Sequence, residues 1–116
     1  MAAITVTVGG TRYTATLQDN GTTRDLLDRM PLELTMRELN GNEKYCYLDR
    51  PLPARDFCPG QIHAGDLMLF GPDCLVLFYE SFSTGYTYTP LGRLDNPQGL
   101  AGVLGRGSVR VRLDRQ

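Results

Sequence analysis

The sequence predicts a mainly β protein: a closed barrel of about eight short strands with two short capping helices. Three observations carry this expectation. Apolar and polar residues alternate at strand period along much of the chain, as in Ile4, Val6 and Val8 set against threonines. Turn dipeptides such as Gly9-Gly10 and Asn40-Gly41 punctuate these runs at short intervals. Only two segments carry helix start and stop signals, and both are too short to build a bundle. Closure of the sheet removes the exposed edges that an open sheet of so many strands would have to protect.

The first strand turns at Gly9-Gly10 into Tyr13, Ala15 and Leu17, an opening hairpin. Asp19-Asn20-Gly21 is turn chemistry, after which Thr22 or Thr23 can cap a helix running to Met30, with Asp25 in its first turn and Pro31 as its stop. Leu26, Leu27 and Met30 share one face of that helix, enough to plug an open end of a sheet. Leu32, Leu34 and Met36 then alternate with Glu33, Thr35 and Arg37 as a third strand. Asn40-Gly41 turns the chain into residues 43–48, where Tyr45 and Tyr47 face opposite to Cys46 and Leu48. Pro51, Pro53 and Pro59 make residues 49–60 an ordered loop or at most an edge.

The segment LMLF, the turn Gly71-Pro72-Asp73 and the run CLVLFY form the core hairpin. Its second strand is apolar at nearly every position, which predicts burial on both faces. Residues 80–89, ESFSTGYTYT, are polar, aromatic and flexible in character. Asp95-Asn96-Pro97 starts a second helix that reaches about Leu104, with close packing at Gly102 and a stop at Gly105. Residues 109–113 supply the last strand, with Arg106, Arg110, Arg112 and Arg115 on its wet face.

At 116 residues the chain is expected to form one domain spanning residues 1–116. A net charge of −1 gives no electrostatic footprint for nucleic acid or an anionic membrane surface, so neither is expected as a partner. Three cysteines at wide spacing, without a Cys-x-x-Cys, argue against a disulfide framework and a zinc site. The N-terminus lacks a basic segment followed by a long apolar run, and a cytoplasmic location is expected. His63 is the sole histidine, which leaves a metal site and a Ser-His-Asp triad without support. The glycines from Gly99 to Gly107 follow a helix and precede a strand, the reverse of a dinucleotide-binding order, so no cofactor is expected. Glu38 and Glu43 flank a turn that could pair them for acid/base work, though exposed hairpin charges account for them equally well.

The richest candidate for a binding site is the stretch from Phe82 to Arg93. It concentrates Phe82, Ser83, Tyr86 and Tyr88 and ends in Arg93, a mix suited to a ligand with an apolar body and a polar edge. Alternation sets Tyr86 and Tyr88 on one face, Tyr45 joins the same neighbourhood, and Arg93 offers a fork of donors to a carbonyl or carboxylate.

With GDLMLFGPDCLVLFY, LNGNEKYCYL and LGRLDNPQGL in view, the sequence resembles the small prokaryotic cyclophilin-like domain family over nearly its whole length. That resemblance implies a closed cyclophilin-type barrel with two capping helices. True cyclophilins isomerise Xaa-Pro bonds with a strand arginine amid phenylalanines, a glutamine, commonly a tryptophan and a histidine. This chain has no tryptophan and does not match the isomerase stretch, so no catalytic residue carries across; Arg37 and Arg93 are loose stand-ins for the arginine. The leading expectation is non-catalytic binding of a small molecule or a proline-containing peptide, by a monomer or weak homo-oligomer. A weak peptidyl-prolyl isomerase and a self-association module are the alternatives.

Overall fold

The computed structural model describes residues 1–116. Strands β1 (Ala2–Val8) and β2 (Thr11–Leu17) form the opening hairpin, in which Val8 pairs with Thr11 across a two-residue turn whose Gly9 has φ +58°. Helix α1 (Gly21–Asp28) follows, then β3 (Leu32–Leu39) and β4 (Glu43–Tyr47). The short β5 (Gln61–Ile62) precedes the core hairpin of β6 (Asp66–Phe70) and β7 (Cys74–Phe78). The chain ends with the short β8 (Phe82–Ser83), β9 (Thr89–Leu94), helix α2 (Leu100–Leu104) and β10 (Val109–Arg115). Eight strands close an antiparallel barrel in the order β1-β10-β3-β4-β7-β6-β9-β2, while β5 and β8 pair as a separate two-stranded flap.

Alternation decides which side chains fill the barrel. Ile4, Val6 and Val8 from β1, Ala15 and Leu17 from β2, and Val111 and Leu113 from β10 all enter one buried cluster, joined by Leu26 of α1 and by Met30 just after it. The arginines at 110 and 112 stay exposed on the outer face of β10. β7 is buried at all five positions because it has two apolar environments. Its Leu75 and Leu77 face the barrel core, whereas Cys74, Val76 and Phe78 face outward into a second cluster with Ile62, Met68 and Tyr88. The flap and the segment that follows it cover that outer cluster, with Phe82 packing on Phe78 at a centroid distance of 5.6 Å.

Several local expectations change in the structure. The cap of α1 is Asn20, whose side chain accepts from the Thr23 N–H at 2.9 Å while Thr23 Oγ1 accepts from the Asn20 N–H, a reciprocal capping box. Thr22 instead donates to the carbonyl of Pro53, pinning the 49–60 loop to the helix. Asp25 lies beyond the first turn and pairs with Arg29 one turn on. Residues 89–94 form a full barrel strand despite Pro90, because the β6–β9 register shifts between Leu67 and Met68 beside it and relieves the ladder of the missing donor. Helix α2 starts at Leu100, later than its turn signals indicated, and Gly102 is exposed with open space around it, so close packing at that position is corrected.

The glycine that packing requires is Gly92. A Cβ there would lie 2.3 Å from the Thr16 carbonyl oxygen and 2.9 Å from Leu17 Cα, both backbone atoms of the neighbouring β2. Gly92→Ala is expected to lower stability by about 3 kcal/mol, because neither strand can yield without opening the barrel seam. Gly102→Ala, at an open helical position, is expected to raise it by about 0.5 kcal/mol. Urea unfolding of the two variants checks the contrast; equal effects would show that the seam at β2–β9 is looser than its geometry.

Candidate functional site

β4 positions the most distinctive surface feature of the molecule. Lys44, Cys46 and Leu48 point into the barrel and are buried, so Glu43, Tyr45 and Tyr47 point out. Across β7 the register sets Glu43 beside Phe78, Tyr45 beside Val76 and Tyr47 beside Cys74, while Phe70 on β6 pairs with Cys74. The chain from Ser83 to Thr89 then crosses this outer face, and the backbone of Tyr88 bridges to that of Phe57 through two 2.8 Å hydrogen bonds.

The result is a cleft of about 370 Å3 whose walls are Tyr45, Tyr47, Phe70, Tyr86 and Tyr88, with Glu43 among them. The rings brace one another: Tyr45 and Tyr47 meet edge to face at 6.1 Å, as do Phe70 and Tyr86, and Tyr88 packs 5.5 Å from both Phe70 and Phe78. Tyr88 is buried, whereas Tyr47 and Tyr86 remain 68% and 67% exposed.

Glu43 is the anomalous member, since it is only 9% exposed and its carboxylate makes no ion pair with any of the chain's cations. Burial, followed by the charge of Glu38, raises its pKa above the ordinary glutamate value of 4.5. Burial also raises the Cys74 thiol to about 11, helped by the charges of Asp73 and Glu43, and lifts the phenol of Tyr88. Both groups are therefore protonated at neutral pH, and neither offers a thiolate or phenolate nucleophile.

The seven residues singled out from sequence do not form one site. Tyr45, Tyr86 and Tyr88 come together in the cleft. Arg37 pairs directly across from Tyr45 on the same outer face of the sheet, next to the cleft. Phe82 is half-buried as part of the flap, and Ser83 Oγ lies 3.1 Å from Gln61 Oε1 within it. Arg93 is separate: its Nε donates to the buried Asp66 at 2.8 Å, and its Nη2 sits 3.5 Å from His63 Nδ1 in another depression. Its Nε is already engaged by an internal carboxylate.

Glu38 and Glu43 do not form an acid/base pair, because β3–β4 register places Glu38 opposite Lys44 and Glu43 opposite Leu39, on different faces. Nor is Glu43 an exposed hairpin charge. Sequence reasoning missed Glu43, Tyr47 and Phe70 as members of the cleft. The signal was present for two of them, since Glu43, Tyr45 and Tyr47 share one parity on a single strand.

A closed antiparallel barrel with two capping helices, an outer flap and a cleft on its wall places the molecule among small β-barrel domains of the cyclophilin type. The chain belongs to the cyclophilin-like family, whose profile matches residues 6–114. It is similar to the solution structure of a hypothetical protein from Archaeoglobus fulgidus, with a TM-score of 0.63 at 17% identity, covering 99% of this chain and 95% of that one. That likeness extends to the fold. No curated protein matches the chain, and no helix is long and apolar enough to cross a membrane.

The raised pKa of Glu43 has a sign for stability. The folded state holds this proton more tightly than the unfolded chain, so stability falls as pH rises from 4.5 through the elevated value. Glu43→Gln is therefore expected to stabilise the fold at pH 7 by roughly 1 kcal/mol, with the gain shrinking as the pH falls to about 4. Thermal unfolding at the two pH values checks this; a destabilised variant at pH 7 would mean that the carboxylate has a partner in the fold.

Proposed function

We propose that the protein is a non-catalytic binding domain whose ligand, a small molecule or a short extended peptide, docks in the aromatic cleft. One observation carries this reading. Tyr47, Phe70 and Tyr86 present large apolar area to solvent around a single concavity, on a face whose other apolar residues lie beneath the flap. Rings that brace one another are ordered before a ligand arrives, which lowers the entropic cost of binding. The cleft falls within the lower part of the usual range for small-molecule sites, roughly 300–1,000 Å3. A domain of this kind acts as a monomer or weak homo-oligomer, and a cytoplasmic setting suits its three free cysteines.

The test is a two-dimensional amide NMR titration of the labelled protein with indole, p-cresol and an Ala-Ala-Pro-Phe peptide. Shifts are expected to cluster at residues 43–47, 70–76 and 84–88. Tyr86→Ala, at a largely exposed position, is expected to leave the fold intact and weaken binding at least about tenfold. Shifts confined to the Arg93 depression, or an unchanged affinity in the variant, would overturn the reading.

A second reading, peptidyl-prolyl isomerisation, is favoured by Arg37 lying directly across from Tyr45 beside the cleft. A proline ring can pack on the tyrosines while a guanidinium donates to the twisted amide, whose uncatalysed barrier is about 20 kcal/mol. Isomer exchange peaks of the same peptide measure it directly. Acceleration by the protein, reduced at least about tenfold in Arg37→Ala, is the expected signature; unaccelerated exchange removes this reading and leaves binding standing.

A further inference from the structure

We propose that the cleft selects a small organic cation, an alkylammonium compound whose charged head sits against Glu43 inside the tyrosine walls. This rests on the cleft being the binding site and adds the chemical class of the ligand.

Charge complementarity carries the inference. Glu43 is nine-tenths buried, borders the cleft, and no side chain of the protein supplies a counter-charge to it within ion-pair distance. The five rings share the rest of the lining with Leu39, Asn40, Cys74 and Val76, so Glu43 is the one carboxylate bordering the cleft. A neutral ligand filling this space would strip the remaining water from an ionised carboxylate and return at most a hydrogen bond, with no counter-charge. An anion would be repelled outright. A cation answers both demands, because its charge replaces the lost hydration of Glu43 and the negative faces of the rings attract it as well.

The donor set also narrows the kind of cation. A hard metal ion needs several oxygen ligands, and one carboxylate and one amide among phenol rings fall short of that number. A methylated ammonium group needs no array of hydrogen-bond acceptors, since it is bound by ring faces and one diffuse counter-charge. Tyr47 and Tyr86 leave the mouth open, so a small ammonium compound can enter without moving the flap.

The closing experiment compares choline with its uncharged isostere 3,3-dimethylbutan-1-ol by amide NMR titration of the wild-type protein and of Glu43→Gln. Choline is expected to shift the amides of residues 43–47 and 84–88, with affinity at least about tenfold above that of the isostere. In Glu43→Gln, which should fold at least as well as wild type, that preference is expected to fall to about threefold or less. Equal binding of the two probes to wild type would overturn the cation proposal while leaving the cleft as a binding site. A preference for choline that survives in Glu43→Gln, or choline shifts elsewhere on the surface, would overturn it too. No shift with either probe also overturns it; if indole, p-cresol and the peptide are silent as well, the binding reading falls with it.

Discussion

Lys44 takes an ammonium group into the barrel, and the geometry of the outer face follows from how that charge is held. The side chain is 0% exposed, and its Nζ donates to the carbonyls of Gly105 and Gly107 at 2.8 and 2.6 Å and pairs with Glu38 at 3.0 Å. Burying a lone ammonium would be prohibitive, but three acceptors and the Tyr79 ring, 5.6 Å from Nζ, replace its hydration. Glu38 is itself anchored: burial favours its proton, yet hydrogen bonds from the Tyr79 hydroxyl, Lys44 and the Gly41 N–H together hold its pKa below the ordinary value. This network ties the β3–β4 turn to the segment between α2 and β10, two parts of the chain some sixty residues apart. It also sets the phase of β4. A slip of one residue would expel Lys44 and draw Glu43 into the barrel with no acceptor-rich lining to receive it.

Two neighbouring glutamates thus meet opposite fates on one hairpin. Glu38 faces the ammonium and contributes stability as a carboxylate. Glu43 faces outward beneath aromatic rings and finds no cation. The difference arises from parity alone, since both flank the same Asn40-Gly41 turn, where φ values of +57° and +68° close the connection. The turn fixes which residue opposes which, and the register then assigns Lys44 to Glu38 rather than to Glu43.

Much of the barrel was legible because its strands obey a simple period. β1, β2, β3 and β10 carry the alternation that places their apolar residues inside, and β7 carries the unbroken apolar run of a strand buried on both sides. β9 was not legible, because Pro90 and Gly92 bracket Leu91 and interrupt any alternation. Its proline is accommodated by a register shift, and its glycine is demanded by the closeness of β2, and both causes are tertiary. The two-residue strands of the flap are too short to leave any periodic signal. At the site, the aromatic residues were recognisable from their own segment, but the distance of Arg93 from them was not, because nothing local reveals that Asp66 lies across the sheet from it. Glu43 was passed over for the converse reason. Its charge resembled that of a solvated hairpin, and its burial on the outer face of β4 is a tertiary fact that no local signal announces.

A carboxylate so placed is hard to account for by stability. Buried charges that persist in folds are usually paired, and the same hairpin shows how readily this protein pairs one. An apolar or amide side chain at position 43 would join the outer cluster of Val76, Phe78 and Tyr88 without the desolvation penalty. The fold does not need Glu43 to complete its turn either, since the Gly41 N–H donates to Glu38. What the residue adds is a negative potential in a recess walled largely by aromatic rings. Such a recess has no cationic complement within the chain, and a positively charged group entering from outside supplies the charge that the fold leaves unanswered.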